Sequence, residues 1–269
     1  MIFNRQEIRK NILISCAFIV LSYVGHAQVV ETISISGNTI EDARIGQNVG
    51  DASEANTNYG SADRFKISAW QEDGNNTFFR SLIKFDLSAI PADAVITSAT
   101  LTLKSHTTST TGSNSNDGGN ALYIEKITQS WAESTVTWNN KPNTTTTGRL
   151  SVAANTDETE TVVLDVTNFA QSWYSAPSSN HGVMIKLQNE TKFRSRNFGS
   201  SDHATKSPVL SITYSYIPKV NTYPYSESWE SNPLWYSSGL NVWTKDSGGT
   251  PTTGTGPTTG SSGSFYMFT

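Results

Sequence analysis

The sequence predicts an all-β protein, an antiparallel two-sheet jelly-roll β-sandwich followed by an incomplete second β-sandwich module. Three observations predict it. Short segments that alternate apolar and polar residues recur along the chain, the pattern of half-buried strands. Between them lie stretches rich in Gly, Asn, Ser and Thr, and only 16% of the residues are charged, a composition that suits turn-rich β folds. A helical repeat is convincing in one short stretch alone.

Residues 1–27 stand outside the fold and read as a signal peptide. Arg5, Arg9 and Lys10 precede an apolar run from Ile12 to Val24, and Gly25-His26-Ala27 offers small residues to a signal peptidase. Export is the expectation, with Gln28 as the first mature residue and a secreted or cell-surface location. The run is too short to favour a membrane span, which takes about 20 apolar residues. It also holds Cys16, the only cysteine, so no disulfide or thiolate chemistry is expected of the mature chain. A net charge of −4 gives no electrostatic reason for nucleic-acid binding.

The strands follow in order from residue 28. Val29 to Ser36 alternates, Thr39 to Gly60 is turn-rich, and Arg64 to Trp70 alternates again with Phe65, Ile67 and Ala69 on one side. From Arg80, residues Ser81, Ile83, Phe85 and Leu87 share the buried parity, opposite Arg80, Leu82, Lys84 and Asp86. Ile90-Pro91-Ala92-Asp93 then breaks the ladder, since Pro cannot donate to it, and Ala99, Leu101 and Leu103 resume it. Thr107 to Asn120 is almost wholly polar and is expected to form a long exposed loop. Leu122 to Ile127 is a strand, Trp131 and Trp138 bracket a short β segment, and Thr144 to Gly148 is a polar loop. Thr161 to Leu164 leads into a capped helix over Asn168 to Tyr174, whose Phe169, Ala170 and Trp173 share a face. Val183 to Leu187, Lys192 to Phe198 and Pro208 to Tyr216 complete a domain over residues 28–218.

Several motifs in fixed order carry a family resemblance: Asp42-Ala43-Arg44-Ile45, Asn58-Tyr59-Gly60, RSLIKFDLSAIPADAVITSATLTL, WAESTVTWNNKP, LDVTNFAQSW, Phe193-Arg194-Ser195-Arg196 and PVLSITY ending at Tyr214. Together they resemble the DNRLRE domain, also classed as carbohydrate-binding module family 96. The resemblance implies a secreted β-sandwich that accompanies polysaccharide-degrading enzymes, with alginate as a ligand of some members. Asn197 stands where the family usually has an acid, and His181 where it often has Tyr. Residues 219–269 change composition and resemble the first third of a MAM domain, through Ser226-Glu227-Ser228-Trp229-Glu230, Gly248-Gly249-Thr250-Pro251 and Thr255-Gly256-Pro257. That resemblance implies a truncated adhesive module, with further domains of the same polypeptide beyond it.

The residues themselves point the same way more weakly. Arg64, Lys66, Arg80, Lys84, Lys186, Lys192, Arg194 and Arg196 all lie on or beside strands, away from the apolar parity. If their strands adjoin, they form a basic face for an anionic polysaccharide such as alginate, since Arg grips carboxylates bidentately and Lys adds charge. Trp70 at the edge would add stacking. The plainer alternative is that outward cations merely solubilise a sheet, with Asp86 pairing one of them. Trp131, Trp138 and Trp173 read as core aromatics. Asp42 and Asp51 are candidate ligands for a structural Ca2+, against the ordinary reading of scattered surface acids. No motif selects catalytic residues, so the expected function is noncatalytic polysaccharide binding that targets an attached enzyme or surface protein. The alternatives are an adhesive or structural module and a fragment of a lyase or hydrolase.

Overall fold

The computed structural model describes residues 28–109, 112–217, 244–247 and 265–268. The expected signal peptide and most of the MAM-like segment lie outside the described residues. Gln28–Ile217 forms one compact unit. Its strands are β1 (Val29–Ile35), β2 (Ile40–Asn48), β3 (Arg64–Glu72), β4 (Asn75–Phe85), β5 (Val95–Leu103), β6 (Leu122–Ile127), β7 (Thr144–Val152), β8 (Val162–Asp165), β9 (Val183–Leu187), β10 (Arg194–Gly199) and β11 (Val209–Tyr216), with one α-helix, α1 (Thr167–Ser175). In the other unit, β12 (Thr244–Ser247) pairs antiparallel with β13 (Phe265–Phe268).

Two antiparallel sheets make the predicted sandwich. One runs β1-β11-β5-β8, and the other β10-β3-β4-β9-β6-β7 with β2 also paired to β4. The main core lies between them, where Phe65, Ile67, Ile83, Phe85, Leu101, Leu103, Ile124, Ile185 and Ile212 are all buried. These residues hold the alternate positions that a pleat turns to one side. α1 begins where the Asp165 carboxylate accepts the Thr167 N–H at 2.9 Å, and it buries Phe169, Ala170 and Trp173.

Three expectations from sequence fail, each for a tertiary reason. The turn-rich stretch after Thr39 contains β2, whose nine residues pair along β4. The polar stretch from Thr144 contains β7, because the edge of β6 supplies backbone partners that its Thr residues need no apolar face to accept. The Trp131 to Trp138 segment is a set of turns, not a strand, and covers the far side of the larger sheet. There Val136 and Trp138 pack on Ala43, Ile45, Leu82 and Met184 as a second, smaller core.

The loop after β5 also departs from expectation. Ser115, Asn116 and Asn120 are buried, and Asp117 bridges to Ser195 on the edge of β10. Its polar side chains replace missing strand partners: the Asn116 carboxamide oxygen accepts the Asn197 N–H at 2.7 Å, and the Asn197 amide donates to the Ser115 carbonyl at 2.6 Å. Asn197, the departure from the family pattern, is thus a bonded structural residue with no exposed surface.

Gly182 marks the entry to β9. It has φ +76, and a Cβ there would stand 2.1 Å from the Ile83 carbonyl oxygen. Gly182→Ala is expected to destabilise the domain by about 2 kcal/mol or more, from the positive φ and the backbone clash together. In a thermal melt this is a fall of roughly 5 °C.

Candidate functional site

The alternation of β4 sorts the cations into two groups. The strands named for the basic face, β10, β3, β4 and β9, are neighbours in one sheet, but their cations do not share a side. Arg80 and Lys84 point with Leu82 toward the second core. Arg80 forms a two-pronged pair with Glu190, both bonds 2.8 Å, and its guanidinium lies 4.9 Å from the centre of the Trp138 ring. Lys84 pairs with Glu41 at 2.7 Å, while Asp86 accepts the Ser88 N–H and hydroxyl and so holds a turn, not a cation. Lys186 meets the buried Glu125 at 2.9 Å, with Arg149 3.6 Å from the same carboxylate. Each of these cations has a carboxylate partner, with Lys186 and Arg149 sharing Glu125.

The two cations of β10, Arg194 and Arg196, are also bonded within the chain. Arg196 stands opposite Ile67 on the side that Phe198 sends into the core, so it is 1% exposed. It donates to the Ala153 carbonyl at 2.6 Å and lies 3.6 Å from Glu160. Arg194 donates to the Thr191 carbonyl at 3.1 Å. The Lys192 ammonium sits 5.4 Å from the centre of the Phe193 ring.

On the other side of β4, a different set of cations gathers. Arg44 stands opposite Ser81 on β4, and Lys66 on β3 meets Arg44 at the Phe79 ring that both cations face. Arg64 lies two residues back on the same side of β3. The Arg44 guanidinium rests 4.4 Å from the Tyr59 ring centre and 5.4 Å from Phe79, and the Lys66 ammonium lies 4.2 Å from Phe79. Gly46 makes room for that ring: a Cβ there would stand 2.2 Å from it.

Glu54, Asp63 and Glu72 act on Arg44 from nearby, but of these three cations only Lys66 forms an ion pair among the described residues. Among the described residues neither Arg44 nor Arg64 forms an ion pair, and the Nε of each is buried without a hydrogen-bond partner. Arg64 donates one bond to the Thr108 hydroxyl at 2.7 Å, and Lys66 has only Glu72, at 3.5 Å. Glu54, the acid beside Arg44, accepts the Tyr59 hydroxyl at 2.8 Å. Burial and that carboxylate push the Tyr59 phenol up to about 12, so it stays neutral. Burial lowers all three cations from their ordinary values, and the charge of Arg44 lowers Arg64 and Lys66 further. Like charges held together in a half-buried site are costly, and an anion placed among them removes that cost. Two guanidinium groups suit a carboxylate.

The sequence profile of carbohydrate-binding module family 96 matches residues 41–214. The chain belongs to this family. No curated protein matches the chain. Family membership makes the Gln28–Ile217 unit a carbohydrate-binding module, a class whose role is binding and not catalysis. Among the described residues no helix is long and apolar enough to cross a membrane.

Elsewhere on the family-96 module, a hollow of about 700 Å3 opens beside Lys84, Glu41, Leu87, Trp173 and Tyr174. Polar groups that line it are already engaged within the chain. Lys84 and Glu41 neutralise each other, and the Tyr174 hydroxyl is bonded to Pro91 and Ala94. The unpaired guanidinium groups are therefore the better candidate for an anionic glycan.

The two acids named for a cation do not meet. Asp42 lies within β2, 1% exposed, and Asp51 lies beyond the end of that strand with its carboxylate accepting the Ser53 N–H. No group of three or more His, Cys, Asp or Glu side chains among the described residues is placed to hold a metal ion. Asp42 is unusual in another way. One oxygen accepts the Ser201 N–H at 2.7 Å while the other is buried with no partner. Burial, with Glu133 and Asp202 adding repulsion, raises its carboxyl to about 7.

Of the residues named from sequence, Arg64 and Lys66 join the candidate site, and Trp70 stands further along the same side of β3. Arg44, Tyr59 and Phe79 were missed as binding residues. The signal for Arg44 was present in alternation, since Asp42, Arg44 and Gly46 share a parity, but the polar composition of the stretch concealed the strand.

Proposed function

We propose that the module binds an acidic polysaccharide such as alginate through Arg44 and Arg64, with Lys66 adding positive potential. The observation that carries this reading is the pair of half-buried guanidinium groups without carboxylate partners, while Arg80, Lys84 and Lys186 in the same sheet each have one. Uronate polymers present one carboxylate per sugar, the group that Arg binds through paired hydrogen bonds. The binding is noncatalytic, and its use in an exported protein is to hold an attached enzyme or surface protein on its glycan.

Affinity electrophoresis of the full chain through gels containing alginate, polygalacturonate or a neutral glucan tests this directly. Retardation is expected in the acidic gels and not in the neutral one. It is expected to weaken strongly near 1 M salt, where charges are screened beyond about 3 Å. Equal retardation in neutral glucan, or none in any gel, rejects the reading.

A further inference from the structure

Four residues along β3 from Lys66, on the same side of the strand, Trp70 meets Phe193. Their rings stand edge to face, 5.3 Å between centres and 85° between planes. Phe193 immediately precedes Arg194, the first residue of β10, which pairs with Ala69, so it continues that ladder to the position facing Trp70. It is 49% exposed, and its φ is +67, a region that a bulky aromatic residue rarely enters. Gly118, itself at φ +68, fits under this backbone: a Cβ there would stand 2.3 Å from the Phe193 carbonyl oxygen. Both the exposed ring and the left-handed backbone cost stability, and such strain collects where a side chain is used.

We propose that Trp70 and Phe193 form a stacking subsite for a sugar ring of the same acidic polysaccharide, so that the module grips an internal stretch of polymer. This rests on the functional reading above and adds the part of the ligand that the guanidinium groups do not touch. A pyranose has an apolar C–H face and a polar rim, which suits an aromatic wall with charge beside it. The two perpendicular rings make a corner, and Lys192, 5.4 Å from the Phe193 ring centre, places an ammonium where a uronate carboxylate would project. The Lys66 ammonium leans along β3 to within 3.5 Å of Glu72, but Arg64 and Trp70 stand six residues apart, about 20 Å at the rise of a strand. Lys66 and Ser68, both buried, lie between them on that side of β3. One sugar cannot reach both Arg64 and Trp70, so affinity must grow with chain length until the ligand spans them.

Calorimetry of the full chain with alginate oligosaccharides of increasing length tests the subsite, using Phe193→Gly. Glycine adopts a positive φ without penalty, so this variant loses the ring while keeping the fold, and its melting temperature is expected to be no lower than wild type. Affinity for the long oligosaccharides is expected to fall about tenfold, while affinity for a trisaccharide is unchanged. Wild-type binding that Phe193→Gly leaves intact at every length, or weakens equally at every length, overturns the subsite alone. A wild-type chain that binds no alginate oligosaccharide overturns the functional reading and the subsite with it.

Discussion

Replacing Arg44 and Arg64 together with alanine is expected to lower the affinity for alginate by about 100-fold or more. Each guanidinium can make charge-assisted hydrogen bonds worth about 1.5–3 kcal/mol, so the pair accounts for roughly 3–6 kcal/mol. Neither side chain forms an ion pair among the described residues, so the loss does not leave a buried carboxylate without its partner. The matched control is Arg80→Ala with Lys84→Ala. Those cations are held by Glu190 and Glu41, and their removal is expected to change alginate affinity by less than about threefold. Calorimetry of both double variants decides the matter. A large loss in the control, with none in the Arg44 and Arg64 variant, would move the site to the opposite side of the sheet. Arg44→Lys refines the result, because lysine keeps the charge but not the paired donors, and it is expected to recover only part of the affinity.

Asp42→Asn is expected to remove a pH dependence from the stability of the domain. The Asp42 carboxyl rises from 3.8 to about 7 on folding, chiefly by burial. A raised acid is protonated in the folded state while the unfolded chain has already released its proton. The stability that the neutral form contributes is therefore complete below about pH 4 and is lost as pH rises toward 7. The total loss is about 4 kcal/mol. Asparagine is neutral throughout, can still accept the Ser201 N–H, and replaces the unpartnered oxygen by an amide. The gap in melting temperature between variant and wild type is expected to widen by roughly 10 °C from pH 4 to pH 8. Parallel curves for the two proteins would show that Asp42 ionises freely. Repeating the melts with Ca2+ tests the calcium expectation, since a Ca2+-dependent rise at pH 8 that Asp42→Asn removes would make Asp42 a ligand.

Alternation read β3, β5, β6, β9 and β11 to within a few residues, because their apolar residues occur every second position and face one core. It missed β2 and β7 for a shared reason: both are strands whose residues are dominated by Thr, Gly, Asn or charge, and their backbone partners come from β4 and β6. It also took Arg196 for an outward residue. The register of β10 is set by Phe198 entering the core, and an even spacing from that ring turns Arg196 inward as well. In the candidate site, Arg64 and Lys66 were legible as cations opposite an apolar face. Phe193 was not, since its exposure depends on a positive φ beside Gly118.

By itself the sequence determined the all-β class, the sandwich, the helix after β8 and the family resemblance, since each depends on periodicity or motif order along the chain. Tertiary structure alone decided which cations are free. Charge is a property of a residue, but its availability depends on what lies across the neighbouring strand. Glu190, Glu41 and Glu125 come from distant parts of the chain to neutralise Arg80, Lys84 and Lys186, and no carboxylate reaches Arg44 or Arg64 within ion-pair distance among the described residues.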